Sequence, residues 1–407
     1  MKKNSLEVTT FILIILFPLF LSGCNYLPSS DVYTNNFSDL DPQVEFINAT
    51  DKFNEIILPQ KRNCEITINE YILPENNQDK NTDYSINIEE LTIYENNIYY
   101  VVSHMPSQSI LADKVEVYRY NILNKHVDLL FDYDKGDGVT WLNEIRVNKK
   151  NLFWVLSYFY IDEPYKVYKD ICKMNLDDNS INIIKTFNEE DLLNEICLSL
   201  TDSYLSWYEA REENGNPKCY LIIYDLEKDI IKNIHNDCFI WSPFVRAHIR
   251  NNNVSFLTRD SVHTYLNIIN LESEEKSEIL FPVKSDLRNI ISNDIFTVWF
   301  GQQHNNIVYI YNHAKENYYY IELKENRSIF YIDLYKNFLI INEKEIHGDG
   351  NGNIICYNLK ANNKINLTNA LNDGINYYYL VRLSADDRIS AQNYLIEGLK
   401  CLIVEFN

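Results

Sequence analysis

The feature that most constrains the fold is a β-hairpin pattern that returns seven times between residue 91 and the C-terminus. In each copy an apolar strand leads into a short polar turn, and a second strand rich in Ile, Val and aromatic residues follows. Hairpins that return at a period of about 40–50 residues predict antiparallel units placed one after another. The residues just after the turns are spaced by 54, 52, 50, 41, 43 and 51 positions, and they are Ile98, Leu152, Tyr204, Val254, Ile295, Phe338 and Ile389.

The second half of each unit recurs as well, as a strand that ends in Asn or Asp followed by an aliphatic residue. Clear copies are residues 117–122, 171–176 and 222–226. Four strands per unit at this period are typical of an all-β protein with a β-propeller fold. The seven hairpins predict seven four-stranded blades, with six or eight blades as the alternatives that the spacing leaves open.

The end of the repeat predicts how the ring closes. The last unit stops at residues 401–406, which supply only a third strand, and an N-terminal strand at about 64–72 could complete that blade. Closure of this kind removes an exposed sheet edge. It would bring Cys64 and Cys401 onto neighbouring strands, where the strand register would decide whether they can form a disulfide.

The scarcity of glycine limits how the turns are made. The chain has only 10 Gly in 407 residues, whereas Gly is ordinarily roughly 7% of residues. Asn and Asp tolerate the positive φ angles that Gly usually provides. We therefore expect Asn and Asp in the turns to take over this conformation.

Residues 1–23 have the pattern of a bacterial export signal. Two lysines near the start precede an apolar run at 11–21, which is shorter than the roughly 20 residues of a membrane-spanning helix. The run ends in Leu21-Ser22-Gly23-Cys24, which resembles the lipobox of bacterial lipoproteins. The resemblance implies that the chain is cleaved before Cys24, which would become an N-terminus carrying acyl chains such as palmitate.

Three segments follow from this interpretation: a lipoprotein signal peptide at 1–23, a tether at 24–42 and the propeller at 43–407. The protein is then expected in the cell envelope, on the extracytoplasmic face of the cell membrane, with the lipid as its only membrane contact. The chain carries a formal net charge of −21. An acidic surface repels nucleic-acid phosphate and anionic lipid headgroups, so neither is an expected partner of the folded body.

Two segments resemble known propeller families. Ser384-Ala385-Asp386-Asp387-Arg388-Ile389 is similar to the Ser-Pro-Asp-Gly-Lys/Arg turn of TolB-like propellers, with Pro and Gly replaced. Residues 168–178 resemble the tyrosine-rich repeats of low-density-lipoprotein-receptor type. The likeness covers about residues 86–407 and implies the fold. It does not imply a function, because propellers include both binding proteins and enzymes.

The remaining sequence motifs give little support for a metal-binding site or a catalytic nucleophile. Seven cysteines besides Cys24 are an odd number without a C-x-x-C pair, so most are expected to be small buried hydrophobic residues. The eight histidines are scattered, and no G-x-S-x-G elbow is present. No metal ion, cofactor or catalytic residue is therefore predicted.

Candidate ligand-binding residues are expected in the loops between the second and third strands of the blades, where propellers usually meet their ligands. These loops are predicted at 103–114, 158–167, 209–218, 301–306 and 343–352. Aromatic side chains beside a few charges suit polar or peptide ligands. The candidates are His104, Tyr158, Tyr160, Glu209, Arg211, His304 and His347.

These observations favour a lipid-anchored module that binds a protein or glycan partner and has no catalytic activity of its own. The alternative is a carbohydrate-active enzyme, a glycosidase or lyase, on the same fold. Two or three carboxylates with an Arg at the central funnel would favour the enzyme. A third possibility is a structural subunit of an envelope complex, which would present an apolar patch on one face.

Overall fold

The computed structural model describes residues 45–406 with short gaps. The gaps are 56–65, 74–83, 107–111, 135–137, 161–166, 188–195, 214–215, 237, 239–246, 251, 261–262, 282–288, 302–304, 347–351, 368–378, 384–388 and 396–397. The export signal, Cys24 and most of the TolB-like turn lie outside the described residues.

The described part of the chain is built from β-strands and one short 3-10 helix. The N-terminal part supplies β1 (Phe46–Asn48), the 3-10 helix Thr50–Lys52, β2 (Asn54–Glu55) and β3 (Ile66–Leu73). Sheet 1 contains β4 (Tyr84–Tyr94), β5 (Asn97–Pro106), β6 (Lys114–Asn121) and β7 (His126–Asp134). Sheet 2 contains β8 (Gly138–Val147), β9 (Asn151–Tyr160), β10 (Tyr168–Asn175) and β11 (Ile181–Phe187). Sheet 3 contains β12 (Ser199–Leu200), β13 (Tyr204–Glu213), β14 (Asn216–Asp225) and β15 (Ile230–Asn236).

The remaining sheets include the strands from the start of the chain. Sheet 4 contains β16 (Ile249–Arg250), β17 (Asn253–Arg259), β18 (Thr264–Asn270) and β19 (Lys276–Phe281). Sheet 5 contains β20 (Asn289–Ser292), β21 (Phe296–Phe300), β22 (Ile307–Asn312), β23 (Asn317–Glu322) and β1. Sheet 6 contains β24 (Arg327–Tyr335), β25 (Phe338–Glu345), β26 (Gly352–Asn358), β27 (Asn363–Asn366) and β2. Sheet 7 contains β28 (Tyr379–Leu383), β29 (Ile389–Leu395), β30 (Gly398–Phe406) and β3.

The sheets are arranged as a closed ring of blades. The first strands of neighbouring sheets contact one another, as in β4 with β8, β20 with β24, and β28 with both β24 and β4. They therefore line the axis, while the fourth strands lie outside. Between neighbouring sheets are clusters of buried apolar side chains, three of which contain a fully buried tryptophan: Trp154, Trp207 and Trp299. Burying about 200 Å² of such a ring contributes about 5 kcal/mol.

The expectation of seven equal four-stranded blades is wrong. Sheets 5 and 6 each have five strands, because β1 and β2 add in parallel to the outer edges of β23 and β27. Side-chain packing is described for six blades, sheets 1 to 6, and the apolar clusters between them. Sheet 7 is described by its backbone and by the Leu73 side chain alone. The sequence repeat could not predict β1 and β2, because strands of two or three residues are too short to show an apolar pattern.

An N-terminal strand completes sheet 7. β3 pairs antiparallel with β30, from Ile66 opposite Phe406 to Leu73 opposite Leu399. In this register Cys401 lies opposite Tyr71. Cys64 lies outside the described residues, so the predicted disulfide with Cys401 stays a prediction.

The Asn or Asp that ends each third strand organises the turn that follows. In sheets 1 to 6 its side-chain oxygen accepts hydrogen bonds from the backbone N–H groups of residues two or three positions later in the chain. The residue directly after it, which is aliphatic or His, donates its own backbone N–H to a carbonyl oxygen in or beside the turn between the first and second strands. Four positions after it stands a non-glycine residue with a φ of 50–61°. The capping residues are Asn121, Asn175, Asp225, Asn270, Asn312 and Asn358.

The expectation that Asn and Asp replace glycine is therefore confirmed only in part. Asn179, Asp229 and Asn362 take the positive φ, whereas Lys125, Glu274 and Glu316 occupy the same position in other sheets. The left-handed conformation costs an ordinary residue about 1–2 kcal/mol. The Asn or Asp cap, by satisfying the turn's N–H groups, helps to offset that cost.

Five of the described outer edges, those of sheets 1, 2, 3, 5 and 6, are protected in one of two ways. The outer strands β7, β11 and β15 each contain a β-bulge, which disrupts the regular edge of the sheet. The outer strands β23 and β27 pair regularly with their neighbours, and these are the edges that β1 and β2 cover. Phe53, just before β2, packs edge-on against Tyr357 of sheet 6.

We expect Asn270→Ala to lower the free energy of unfolding by about 1–2 kcal/mol, because Glu272 and Ser273 would lose the acceptor of their backbone N–H bonds. Urea denaturation of the two proteins measures the difference. The control is Asn182→Ala on β11, an exposed residue, for which a change within about 0.5 kcal/mol is expected. Equal effects of the two substitutions would show that the cap does not stabilise the turn.

Candidate functional site

The predicted loops are the connections between second and third strands, and they all open on one face of the ring, called here the loop face. The strands extend further than predicted, so His104, Tyr158, Glu209 and Arg211 stand near strand ends instead of in loops. Tyr160 ends β9, and only its backbone is described. His304 and His347 lie outside the described residues. The structure therefore places four of the seven candidate side chains, on sheets 1, 2 and 3.

Glu209 is the centre of a charged cluster on this face. Its side chain is 1% exposed. Oε1 accepts bonds from Lys185 Nζ at 2.5 Å and from Trp207 Nε1 at 2.9 Å, and Oε2 accepts a bond from Arg211. Lys185 belongs to β11 of sheet 2, so this carboxylate links two neighbouring sheets. A buried charge is tolerated only when it is paired and hydrogen-bonded in this way.

Exposed cations at the rim of the cluster lie beside a buried aromatic ring, that of Tyr220. The Arg211 guanidinium lies over the Tyr220 ring, 4.9 Å from its centroid. Tyr220 donates its hydroxyl to Glu213, and this bond is the main reason that the pKa of Glu213 is lowered. Lys218 Nζ lies 3.6 Å from Glu213. Since Arg211 and Lys218 are 43% and 37% exposed, both can meet a partner from solvent.

His104 belongs to a second cluster, on sheet 1. Its Nε2 lies 2.7 Å from Glu116 Oε2, and Lys114 Nζ lies 2.8 Å from the other oxygen. Tyr118 donates its hydroxyl to Glu116 at 2.8 Å. Burial alone would raise the pKa of Glu116, but the bonds from Lys114, His104 and Tyr118 outweigh it, so that the pKa is lowered. The carboxylate therefore stays ionised.

On sheet 2, between these clusters, is a pair of tyrosines. Tyr158 and Tyr168 lie opposite each other on β9 and β10 and stack with their ring centroids 5.6 Å apart. Both side chains are partly exposed. Stacked pairs of this kind offer apolar area at a low cost in conformational entropy.

Sequence reasoning missed several partners of the candidate residues. Lys185 comes from the outer strand of a different sheet, and no spacing in the sequence links it to Glu209. Glu116 and Tyr220 could have been found, because each stands a few residues beyond the predicted loop on the third strand of its blade.

The axis of the ring also carries paired charges that the sequence did not reveal. Arg250 of β16 lies 3.6 Å from Asp333 of β24, although sheet 5 comes between their sheets in the ring. Glu144, at a bulge of β8 with a φ of 56°, accepts a bond from Arg146 at 2.6 Å. Backbone N–H groups also donate to these acids: Leu334 to Asp333 and Leu198 to Glu144.

Two further searches concern metal ions and membranes. Within the described ranges, no three or more His, Cys, Asp or Glu side chains are grouped so that they could hold a metal ion. No helix in the part of the chain that the structure describes has the length and apolarity needed to cross a bilayer.

Comparison with known proteins gives a fold but no family. No family model and no curated protein matches the sequence. Among solved structures, the β-propeller domain of the Trilobed protease from Pyrococcus furiosus is 12% identical over 79% of this chain and 94% of its own, with a TM-score of 0.51. That likeness shows the β-propeller fold. The protease domain has an open velcro topology, whereas in this chain the N-terminal strand β3 pairs with the C-terminal strand β30.

Two further similar structures have TM-scores below 0.5. TolB from Acinetobacter baumannii is 9% identical over 67% of this chain and 79% of its own, with a TM-score of 0.35. Oligogalacturonate lyase from Vibrio parahaemolyticus is 10% identical over 84% and 97%, with a TM-score of 0.48. The comparisons leave the activity of this chain undetermined.

Acid should destabilise the protein partly through Glu116. A carboxyl group whose pKa is lower in the folded chain stabilises it above the ordinary pKa of 4.5, and this contribution is lost as the pH falls below that value. We expect Glu116→Gln to make the acid limb of the stability curve shallower. Denaturation midpoints at pH values between about 3 and 7 test this, with Asp132→Asn, at an exposed partner of Lys114, as the control. Parallel acid limbs for wild type and Glu116→Gln would contradict it.

Proposed function

We propose that the protein is a lipid-anchored, extracytoplasmic β-propeller that binds a protein or glycan partner through its loop face and performs no catalysis. The observation that carries the proposal is the Glu209 cluster, in which a buried carboxylate holds two cations at the rim beside Tyr220. Around it, the His104 and Tyr158 groups extend the same face over three consecutive sheets.

The chemistry of the rim suits recognition of a polar or acidic group. Arg and Tyr are enriched among residues that dominate binding energy at interfaces, because each combines a flat apolar surface with hydrogen-bond donors. Lys185, Arg211 and Lys218 face two acids, Glu209 and Glu213. The local balance is therefore 3 − 2 = +1 on a chain whose net charge is −21. A partner that presents a carboxylate meets a locally cationic rim here.

The ionisation of the carboxylates on this face supports binding over acid catalysis. A general acid in glycoside hydrolysis needs a carboxyl pKa raised towards neutrality. The pKa values of Glu116 and Glu213 are instead lowered by the hydrogen bonds that they accept. These two groups are therefore suited to hold neighbouring donors in place.

The alternative is a glycosidase or lyase, and one observation favours it. Two separate pairs of opposite charge lie on first strands around the axis, Glu144 with Arg146 and Asp333 with Arg250. Each acid accepts a bond from a backbone N–H and from a second donor, Arg146 for Glu144 and the Tyr331 hydroxyl for Asp333, which is a typical arrangement for a structural carboxylate. Release of reducing sugar from a panel of acidic and neutral polysaccharides, abolished by Asp333→Asn in a folded protein, would favour the enzyme.

The exposed apolar side chains bear on the third possibility, a structural subunit. Those on fourth strands are distributed over the outer edges of four sheets, which gives little support to one continuous apolar face. They are Leu129, Ile181, Ile183, Ile230, Ile231 and Leu280.

We expect Arg211→Ala to weaken binding of the partner about tenfold or more, because it removes both the cation and its contact with Tyr220. An immobilised library of acidic and neutral oligosaccharides and peptides supplies the ligands, and titration of each positive member gives the affinity. Lys276→Ala, at an exposed lysine of β19, is the matched control and should bind like the wild type. Equal affinities of Arg211→Ala and the wild type would refute the assignment of the site.

The anchor is tested separately in cells. The lipobox-like segment supports lipid attachment at Cys24, so Cys24→Ala should move the protein from the membrane fraction to the soluble or unprocessed pool and abolish labelling by an alkyne fatty acid. Cys172→Ala, at a buried core position, should still be labelled. Unchanged labelling of Cys24→Ala would refute the anchor and leave the binding face untouched.

A further inference from the structure

Two buried thiols lie directly behind the Glu209 cluster. Cys219 precedes Tyr220 in β14, and Cys238 follows the end of β15, where the chain leaves sheet 3 for sheet 4. Both residues are buried, at 8% and 6% exposure. The Cys238 N–H donates to the Cys219 carbonyl oxygen at 2.9 Å. The two residues are therefore neighbours across the outer pair of strands in this blade.

The side chains meet as well as the backbones. Cys219 and Cys238 belong to one apolar cluster, together with Tyr208 and the first strand of sheet 4. Burial raises the pKa of the Cys219 thiol, and a hydrogen bond with the Cys238 thiol adds to the effect. The backbone hydrogen bond and the hydrogen bond between the thiols thus place the two residues side by side, as a disulfide requires.

Another buried cysteine in the described part of the chain has a different setting. Cys172 is packed in the cluster between sheets 1 and 2, and its pKa is raised by burial and by the nearby Asp170 carboxylate. It is as buried as the pair behind β14 but lies in a different cluster. Cys172 is therefore a matched control for a thiol in a blade core.

We propose that Cys219 and Cys238 form a disulfide that fastens β14 to the connection between sheets 3 and 4. The oxidant is a disulfide of a protein or of a small thiol such as glutathione. One thiolate attacks that disulfide to give a mixed disulfide and release one thiol, and the second cysteine then displaces the other thiol. One S–S bond forms and one breaks, and the two protons end on the two released thiols.

The position of the bond gives it a consequence for the loop face. Cys219 stands between Lys218 and Tyr220, so the bond fixes the strand that carries the rim of the Glu209 cluster. An extracytoplasmic location would keep such a bond oxidised. The inference concerns the geometry of the two thiols and does not depend on which partner the face binds.

The test is a disulfide map of the chain from Cys24 onwards, refolded in a glutathione redox buffer so that the thiols can react before the core closes. After alkylation of free thiols and digestion without reduction, mass spectrometry should find one peptide pair that joins Cys219 to Cys238. Cys172→Ser should keep this pair, and Cys219→Ser should lose it. Recovery of both cysteines fully alkylated, or joined to other cysteines, would overturn the proposal.

Thermal unfolding gives a second readout that does not rely on digestion. The oxidised wild type should melt several degrees above the reduced form, because the bond restricts the unfolded chain. Cys238→Ala should melt at the same temperature with and without reductant. A reductant-dependent shift of equal size in Cys238→Ala would assign the stabilisation to a different pair and reject this one.

Discussion

The fold depends on a hydrogen-bonded Asn or Asp cap at the end of each third strand in sheets 1 to 6. An Asn or Asp side chain caps the following turn, and the next residue donates its N–H to a carbonyl in or beside the turn between the first and second strands. One dipeptide thus positions two turns at the same end of a blade. With both turns held together at that end, the opposite ends of the strands are left to carry long and variable loops. The loop face exists because the other face is fixed in this way.

The Asn or Asp cap also explains why the repeat could be recognised in the sequence. Asn121, Asn175 and Asp225 recur because a side-chain acceptor is needed at that position, and the aliphatic residue after them packs into the space between blades. The alternation of apolar strands and capped turns was therefore sufficient for the propeller class. The spacing did not reveal β1 and β2, because strands of two or three residues have no periodicity and owe their conformation to the edge that they cover.

The candidate site was predictable in position but not in composition. Strand order places second-to-third loops on one face, so Glu209 and Arg211 could be proposed together as residues of one predicted loop, although both belong to β13. Lys185 could not, because its contact with Glu209 depends on how closely sheets 2 and 3 pack. For the same reason the pairing of Arg250 with Asp333 was hidden: it crosses the axis between sheets that are not neighbours in the ring.

The strands from the start of the chain run along the outer edges of the last three blades. β1 joins sheet 5, β2 joins sheet 6 and β3 completes sheet 7, and Thr50 accepts a hydrogen bond from Glu322, 272 residues away. Contacts of such long range form late in folding, because the loop that they close is large. Of the described strands, the earliest in the chain are thus the last to find their partners. Until β30 has been synthesised, the strands on either side of it, β29 and β3, each have an unpaired edge. A longer chain takes longer to synthesise, so these edges must be kept from pairing with other strands for longer.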